Sequence, residues 1–159
     1  MPSDADVLDR ARLDLDRFLP YRLSVLTNRV SNAIARHYSE RFGLSIPEWR
    51  VMAVLGQSPG LPAREVAERT AMDKVQVSRA VSSLVKSRRV LRDGDEADGR
   101  VTRLSLTPRG RAIYDEIVPL ALHLEAVLLA ALAPTERQTL SAIIDKLSSR
   151  ISGLRVTEI

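Results

Sequence analysis

The sequence predicts a mainly helical chain with one small β-hairpin, an α+β arrangement in which the hairpin interrupts the helices. Three observations carry that reading. Apolar residues recur at helical spacing along most of the 159 residues. The period drops to that of a strand only in "VLR" and "VTRLSL", on either side of "DGDEADGR". Helix-start signals stand at Ser45, Asp73 and Thr107-Pro108.

The elements follow in order. Leu8, Ala11, Leu15 and Leu19 sit at helical spacing amid Asp and Arg, predicting a first helix over residues 3–19 that Pro20 breaks. A second helix is predicted over 21–42, with Leu23, Leu26, Val30, Ile34 and His37 on one face and Gly43 as its stop. In "SIPEWRVMAVL", Ser45 stands three residues before Glu48, a capping-box arrangement, and Pro47 suits the first turn. Gln57-Ser58-Pro59-Gly60 ends that helix in a turn. "PAREVAERT" predicts a short helix with Val66 and Ala67 inward, and "AMDK" a tight break. Asp73 caps a longer helix expected from Lys74 to about Arg89. After the hairpin, Thr107-Pro108 opens a helix with Ile113, Ile117, Leu120, Leu124 and Leu128 on one face. Ala133-Pro134 separates it from a last helix carrying Leu140, Ile143, Ile144, Leu147 and Ile151.

Helices, a helix-turn-helix, a hairpin and two long helices make a winged helix-turn-helix. The expected organisation is one domain over 1–159. Within it a winged helix-turn-helix lobe spans 44–107, flanked by helical arms over 1–43 and 108–159 that serve dimerisation.

Composition narrows the function. There is no Cys, which excludes disulfides, thiolate metal sites, cysteine nucleophiles and thiol redox sensing. The hydrophobic fraction of 45% is ordinary for a globular chain, and aromatics at 4% leave the packing to Leu, Val, Ile and Ala. No apolar run approaches a membrane span, and "MPSDADVLDRARLDLD" is unlike a signal peptide, so a soluble cytoplasmic protein is expected. The two histidines, His37 and His123, have no metal-binding spacing, and no phosphate-binding Gly loop or nucleophile elbow is present. No catalytic residue, metal or cofactor is therefore expected, and an enzyme has no constellation to stand on.

The net charge is only +4, so its placement matters more than its size. Between Asp73 and Arg92 stand Lys74, Arg79, Lys86, Arg88, Arg89 and Arg92 against the single anion Asp73. A helix of about sixteen residues is roughly 24 Å long and fits the major groove of DNA. The N-terminal part of such a helix reaches the bases, and here it carries Lys74, Gln76, Ser78 and Arg79. Gln pairs with adenine, Arg or Lys with guanine, and Ser with base or phosphate; Val75 or Val77 suits a thymine methyl, while the other faces the core. The plainer alternatives are a surface helix with solvated cations, and a Gln76 that only closes a capping box with Asp73. The hairpin favours DNA, because a wing carrying Arg100 and Arg103 can lie along the backbone or minor groove. Lys86 to Arg92 would neutralise phosphate. Among the loop acids, Asp93 and Asp95 read as turn formers, whereas one or more of the group can brace arginines by ion pairing.

"LSIPEWRVMAVLG", "REVAERTAMDKVQVSRAVSSLV" and "DGRVTRLSLTPRGRAIYDEI" together resemble the MarR family of winged-helix transcription regulators, over about Tyr21 to Leu147. The most specific match is the Asp-x-Arg wing signature at Asp98-Gly99-Arg100, followed by Leu106, Thr107 and Gly110. The resemblance implies an obligate homodimer with interlocking terminal helices. It also implies a pseudo-palindromic operator and repression relieved by a small ligand. It further implies that Asp98 braces the wing, against Arg79, and that Arg100 enters the minor groove. Two departures stand out: Gln76 replaces the usual Thr or Ser, and Arg89 replaces the usual Gly at the end of the reading helix, leaving that end to be capped differently or under mild strain.

The apolar faces of the arms independently favour a dimer over a compact monomer, since one chain has no other layer to cover them. A ligand is expected where the arms meet the lobe. His37, Arg41 and Trp49 are the first candidates, with Tyr38 and Arg50 behind them, each also readable as core, surface cation or interface. His37 with Arg41 one turn later suits an anionic aromatic or acyl compound. "IPEWRVM" resembles regulators of aromatic-acid catabolism that sense phenolic acids or their coenzyme A thioesters. The competing reading is a constitutive or architectural DNA binder with no effector.

Overall fold

Pro20 lies in the first turn of a helix instead of ending one. In the computed structural model, which describes residues 13–94 and 101–154, helix α1 runs from Leu19 to Phe42 with Pro20 in its first turn. The helix expected over 3–19 lies mostly outside the described residues, and its described end is turn. There the amides of Arg17 and Phe18 bond the Asp14 carbonyl, and the Asp14 carboxylate accepts from the Asp16 amide at 3.1 Å. A short Asp side chain that offers its own backbone partners competes with a helix. Gly43 ends α1 in the left-handed region, at φ 62°.

Helix α2 (Ile46–Gln57) carries the capping box as expected: the Ser45 amide donates to Glu48 Oε2 at 2.7 Å, and the Glu48 amide to Ser45 Oγ at 3.3 Å. The next element, strand β1 (Leu61–Pro62), has no counterpart in the sequence pattern and pairs with the hairpin. Helix α3 (Ala63–Thr70) ends at Ala71, which adopts φ 52° in the "AMDK" break. Helix α4 (Lys74–Lys86) is three residues shorter than expected. Strands β2 (Val90–Gly94) and β3 (Thr102–Leu106) are antiparallel, with Val90 opposite Leu106 and Asp93 opposite Arg103, and the sheet order is β1-β3-β2. Asp93 is therefore a strand residue and not a turn former; Asp95 lies outside the described residues.

Thr107 caps helix α5 (Pro108–Leu129), accepting the Gly110 amide at 3.0 Å, and helix α6 (Pro134–Gly153) follows. The chain divides into two compact units between Ile117 and Val118, two residues before Pro119 within α5. In the first unit Met52, Leu55, Val66, Val81, Leu84, Leu104 and Ile117 form a closed core under the sheet and α2 to α4. The second unit is helical, and α6 has no buried residue. Among the described residues no single helix is long and apolar enough to cross a membrane.

Candidate nucleic-acid interface

Asp73 starts α4 by accepting the Gln76 amide on its carboxylate at 2.8 Å. Val77, Ala80, Val81 and Leu84 then fall on the inward side and are buried. That spacing turns Lys74, Val75, Gln76, Ser78 and Arg79 outward, and all five are exposed. Of the two valines, Val77 is the core residue and Val75 is 59% exposed. The Asp73 cap is one-sided: the Gln76 carboxamide does not return to the Asp73 amide, and it has no hydrogen-bond partner among the described residues. Lys74 and Arg79 likewise have no ion pair among them, whereas the cations of α3 are matched, Arg64 by Glu68 at 3.0 Å and Arg69 by Glu65 at 3.8 Å.

Beside this face a groove of about 460 Å³ separates α4 from α3 and the sheet, with Lys74, Ser78, Arg92 and Thr102 at its edges over Val81 and Leu104. Arg92 leans back toward α4, where its guanidinium reaches Ser82 Oγ at 3.4 Å. Arg103 donates to the Gly60 carbonyl at 2.9 Å, which ties the hairpin to the turn before β1. Asp98 and Arg100 lie outside the described residues.

The end of α4 corrects the sequence reading. The left-handed residue is Arg88, at φ 56°, and not Arg89. The Arg88 amide bonds the Val85 carbonyl at 3.0 Å and the Arg89 amide bonds the Leu84 carbonyl at 2.8 Å, which closes the helix as a Schellman motif usually does with Gly. Arg88 is exposed. Arg89 is not available to phosphate, because its side chain is turned inward and donates to the carbonyl of Phe42.

The second candidate set divides. Tyr38, Trp49 and Arg50 come together: the Tyr38 and Trp49 rings are 5.7 Å apart, and the Arg50 guanidinium reaches Ser31 Oγ at 3.4 Å. Burial pushes the Tyr38 phenol up to about 12, with the Arg50 charge pulling the other way. Tyr114, unremarked in the sequence, extends the stack to Trp49 at 5.9 Å, and Arg111 lies 5.0 Å over the Tyr114 ring. A Cβ on Gly56 would meet that ring at 2.3 Å, so Gly56 makes room for the stack. His37 does not lie on the inward stripe. The buried side of α1 is set by Ile34, Ala35, Tyr38 and Phe42, and His37 is exposed. Arg41 pairs with Glu116 and lies over the Phe42 ring at 5.1 Å.

Comparison with known proteins places this geometry. A model of the MarR family matches residues 42–101. The HTH-type transcriptional repressor Rv2887 of Mycobacterium tuberculosis is 29% identical over 133 residues, covering 83% of this chain and 92% of the relative. A MarR family transcriptional regulator from Silicibacter pomeroyi superposes with a TM-score of 0.72 at 29% identity, over 92% of this chain and 96% of its own. The PcaV transcriptional regulator from Streptomyces coelicolor, crystallised with its natural ligand, gives 0.69 at 25% identity, over 87% and 97%.

Proposed function

We propose that the chain is a transcriptional regulator of the MarR family, a cytoplasmic homodimeric repressor of a pseudo-palindromic operator, released by a small anionic aromatic or acyl ligand, coenzyme A thioesters included. The observation that carries the DNA-reading part is the outward face of α4. Five residues that the core does not use, Lys74, Val75, Gln76, Ser78 and Arg79, lie together on the first turns of a helix fixed from behind by Val77, Ala80, Val81 and Leu84. Gln76 would read adenine, Lys74 or Arg79 guanine, and Val75 a thymine methyl, with Ser78 on base or phosphate. Arg88 and Arg103 would hold the backbone, while Asp98 and Arg100 would brace and insert the wing, as the family resemblance implies. Two copies related by a two-fold axis would set their reading helices about 34 Å apart, one turn of DNA.

Support for a ligand is the cluster of Tyr38 and Trp49 with Arg50, to which His37 and Arg41 remain neighbours along α1, and the ligand complex of PcaV. An aromatic ring stacking there would have a cation within reach of its carboxylate. The sole tryptophan makes the test direct. Titrating phenolic acids and their coenzyme A thioesters should change Trp49 fluorescence, raise the melting temperature and release a duplex that the protein has selected from a random pool. If none of them alters DNA affinity, the protein is a constitutive DNA binder. Equal affinity for selected and random duplexes would defeat the sequence-reading claim itself.

A further inference from the structure

Building on that DNA-reading function, we propose that Arg89 is a positioning residue that sets the stance of α4 against α1 and thereby governs operator discrimination. Three elements meet at it. Its side chain donates to the carbonyl of Phe42, the last residue of α1, one of the carbonyls a helix end leaves without an internal partner. A cation is also favoured at that negative end of the helix. Its amide closes α4 on the Leu84 carbonyl at 2.8 Å, and its own carbonyl accepts the Thr107 amide at 3.0 Å just before α5. The Arg89 charge also acts on Glu48 of α2.

Glu48 is buried, and burial opposes its ionisation. The Ser45 amide, the hydroxyls of Ser83 and Ser45 and the charge of Arg89 outweigh that and hold its carboxyl below the usual range. The carboxylate thus ties the start of α2 to Ser83 on α4, while Arg89 acts on it through its charge. The backbone here has no slack toward α5, since a Cβ on Gly110 would lie 2.0 Å from the Arg89 carbonyl oxygen.

Packing alone does not account for the guanidinium. Its Nε is buried with no hydrogen-bond partner, the one such side-chain nitrogen or oxygen among the described residues. An unpaired buried donor is costly, so an apolar side chain of similar length would fill the space at less expense. What the arginine supplies is a directed bond from the end of α4 to the end of α1. The neighbouring arginines therefore do different work: Arg88 faces solvent, and Arg89 faces the joint between the two helices.

The test uses the full-length protein, a duplex it recovers from a randomised pool, and a scrambled duplex of the same composition, each over a salt series. Arg89→Met should lower the selected-to-scrambled affinity ratio by about tenfold, the scale of one misplaced base contact, and leave the salt slope unchanged. Arg89→Lys, which keeps a donor for the Phe42 carbonyl, should recover part of the ratio. An unchanged ratio with a lower melting temperature would make Arg89 merely structural and overturn the proposal. Equal weakening on both duplexes, with the salt slope reduced by about one, would make it a phosphate contact and overturn it too. If Arg89→Met fails to fold, Arg89→Gln, too short to reach the Phe42 carbonyl, takes its place: a wild-type ratio refutes the proposal, and a reduced ratio at unchanged slope supports it. A wild-type protein with no discrimination defeats the DNA-reading function itself, which separates that failure from this one.

Discussion

Leu84 and Leu147 are the same side chain on two amphipathic helices, and they end in opposite surroundings. Leu84, on α4, is fully buried, held between the strands and the helices of the lobe. Leu147, on α6, stays 44% exposed, in a row with Leu140, Ile143, Ile144 and Ile151, all of them 40% exposed or more. In the lobe one chain supplies every layer needed to cover the apolar side of a helix. Among the described residues α6 has none buried, although the stripe is as regular. An amphipathic helix gains its stability by burying that stripe, and a contiguous exposed one marks an interface. The difference separates two tasks: α4 leaves its polar face outside because the lobe is finished, and the apolar face that α6 leaves outside is the one the proposed dimer would cover.

The strongest way to break the contrast is to charge the uncovered stripe. Ile144→Glu with Leu147→Glu should turn the protein into a monomer by analytical ultracentrifugation and cut affinity for a two-half-site duplex by about 10²–10⁴, the usual gain from linking two binding modules. Circular dichroism of the lobe should be retained. On the surface of a finished monomer, the same two changes would alter stability by only about 0.5 kcal/mol each. A variant that still sediments as wild type would place α6 outside the interface. The complementary change, Leu84→Ala, should leave the oligomeric state of the folded protein alone and cost about 2–5 kcal/mol in denaturant unfolding, because the cavity opens in a core that cannot collapse.

The lobe was legible in the sequence because its signals are local. Asp73 caps, Val77, Ala80, Val81 and Leu84 repeat at helical spacing, and the outward residues are what remains. Signals that depend on a distant partner were not legible. Leu61-Pro62 is a strand only because Leu104 and Arg103 lie beside it, and two residues have no period to read. His37 continued a stripe begun by Leu23 and Leu26, but those leucines are exposed, and the buried side of α1 is chosen by the lobe it meets, through Ile34 and Tyr38. Spacing identifies a face without saying which face is covered. Arg88 and Arg89 read as one basic cluster because residue type carries the charge, whereas backbone conformation decides which guanidinium turns inward.

Glu48 offers a smaller test of how finished the lobe is. A carboxyl with a lowered pKa releases its proton more readily folded than unfolded. The stability it contributes is therefore complete above the unfolded value of about 4.3 and drains away as pH falls through the folded value. Thermal unfolding followed from neutral pH downward should lose stability in that acid range, and Glu48→Gln should flatten this part of the profile. Between Leu140 and Ile151 the α6 row holds a single carboxylate, Asp145, beside Lys146 and Arg150, so acid unfolding should report the lobe more than this row.

The smallest effect is the most diagnostic, because its two readouts move in opposite directions. Arg88 occupies the left-handed position that closes α4, at φ 56°, where a side chain is strained and Gly is not. Arg88→Gly should raise stability by about 0.5–1 kcal/mol, the relief of that strain less the extra freedom Gly gives the unfolded chain. If its exposed guanidinium holds a phosphate, the same change should weaken selected and scrambled duplexes alike and reduce the salt slope by about one. Greater stability with weaker, less salt-sensitive binding would mean that the lobe keeps a strained residue for the DNA it contacts. Greater stability with unchanged binding would leave Arg88 as a solvated cation and place the backbone contacts of α4 elsewhere on the helix.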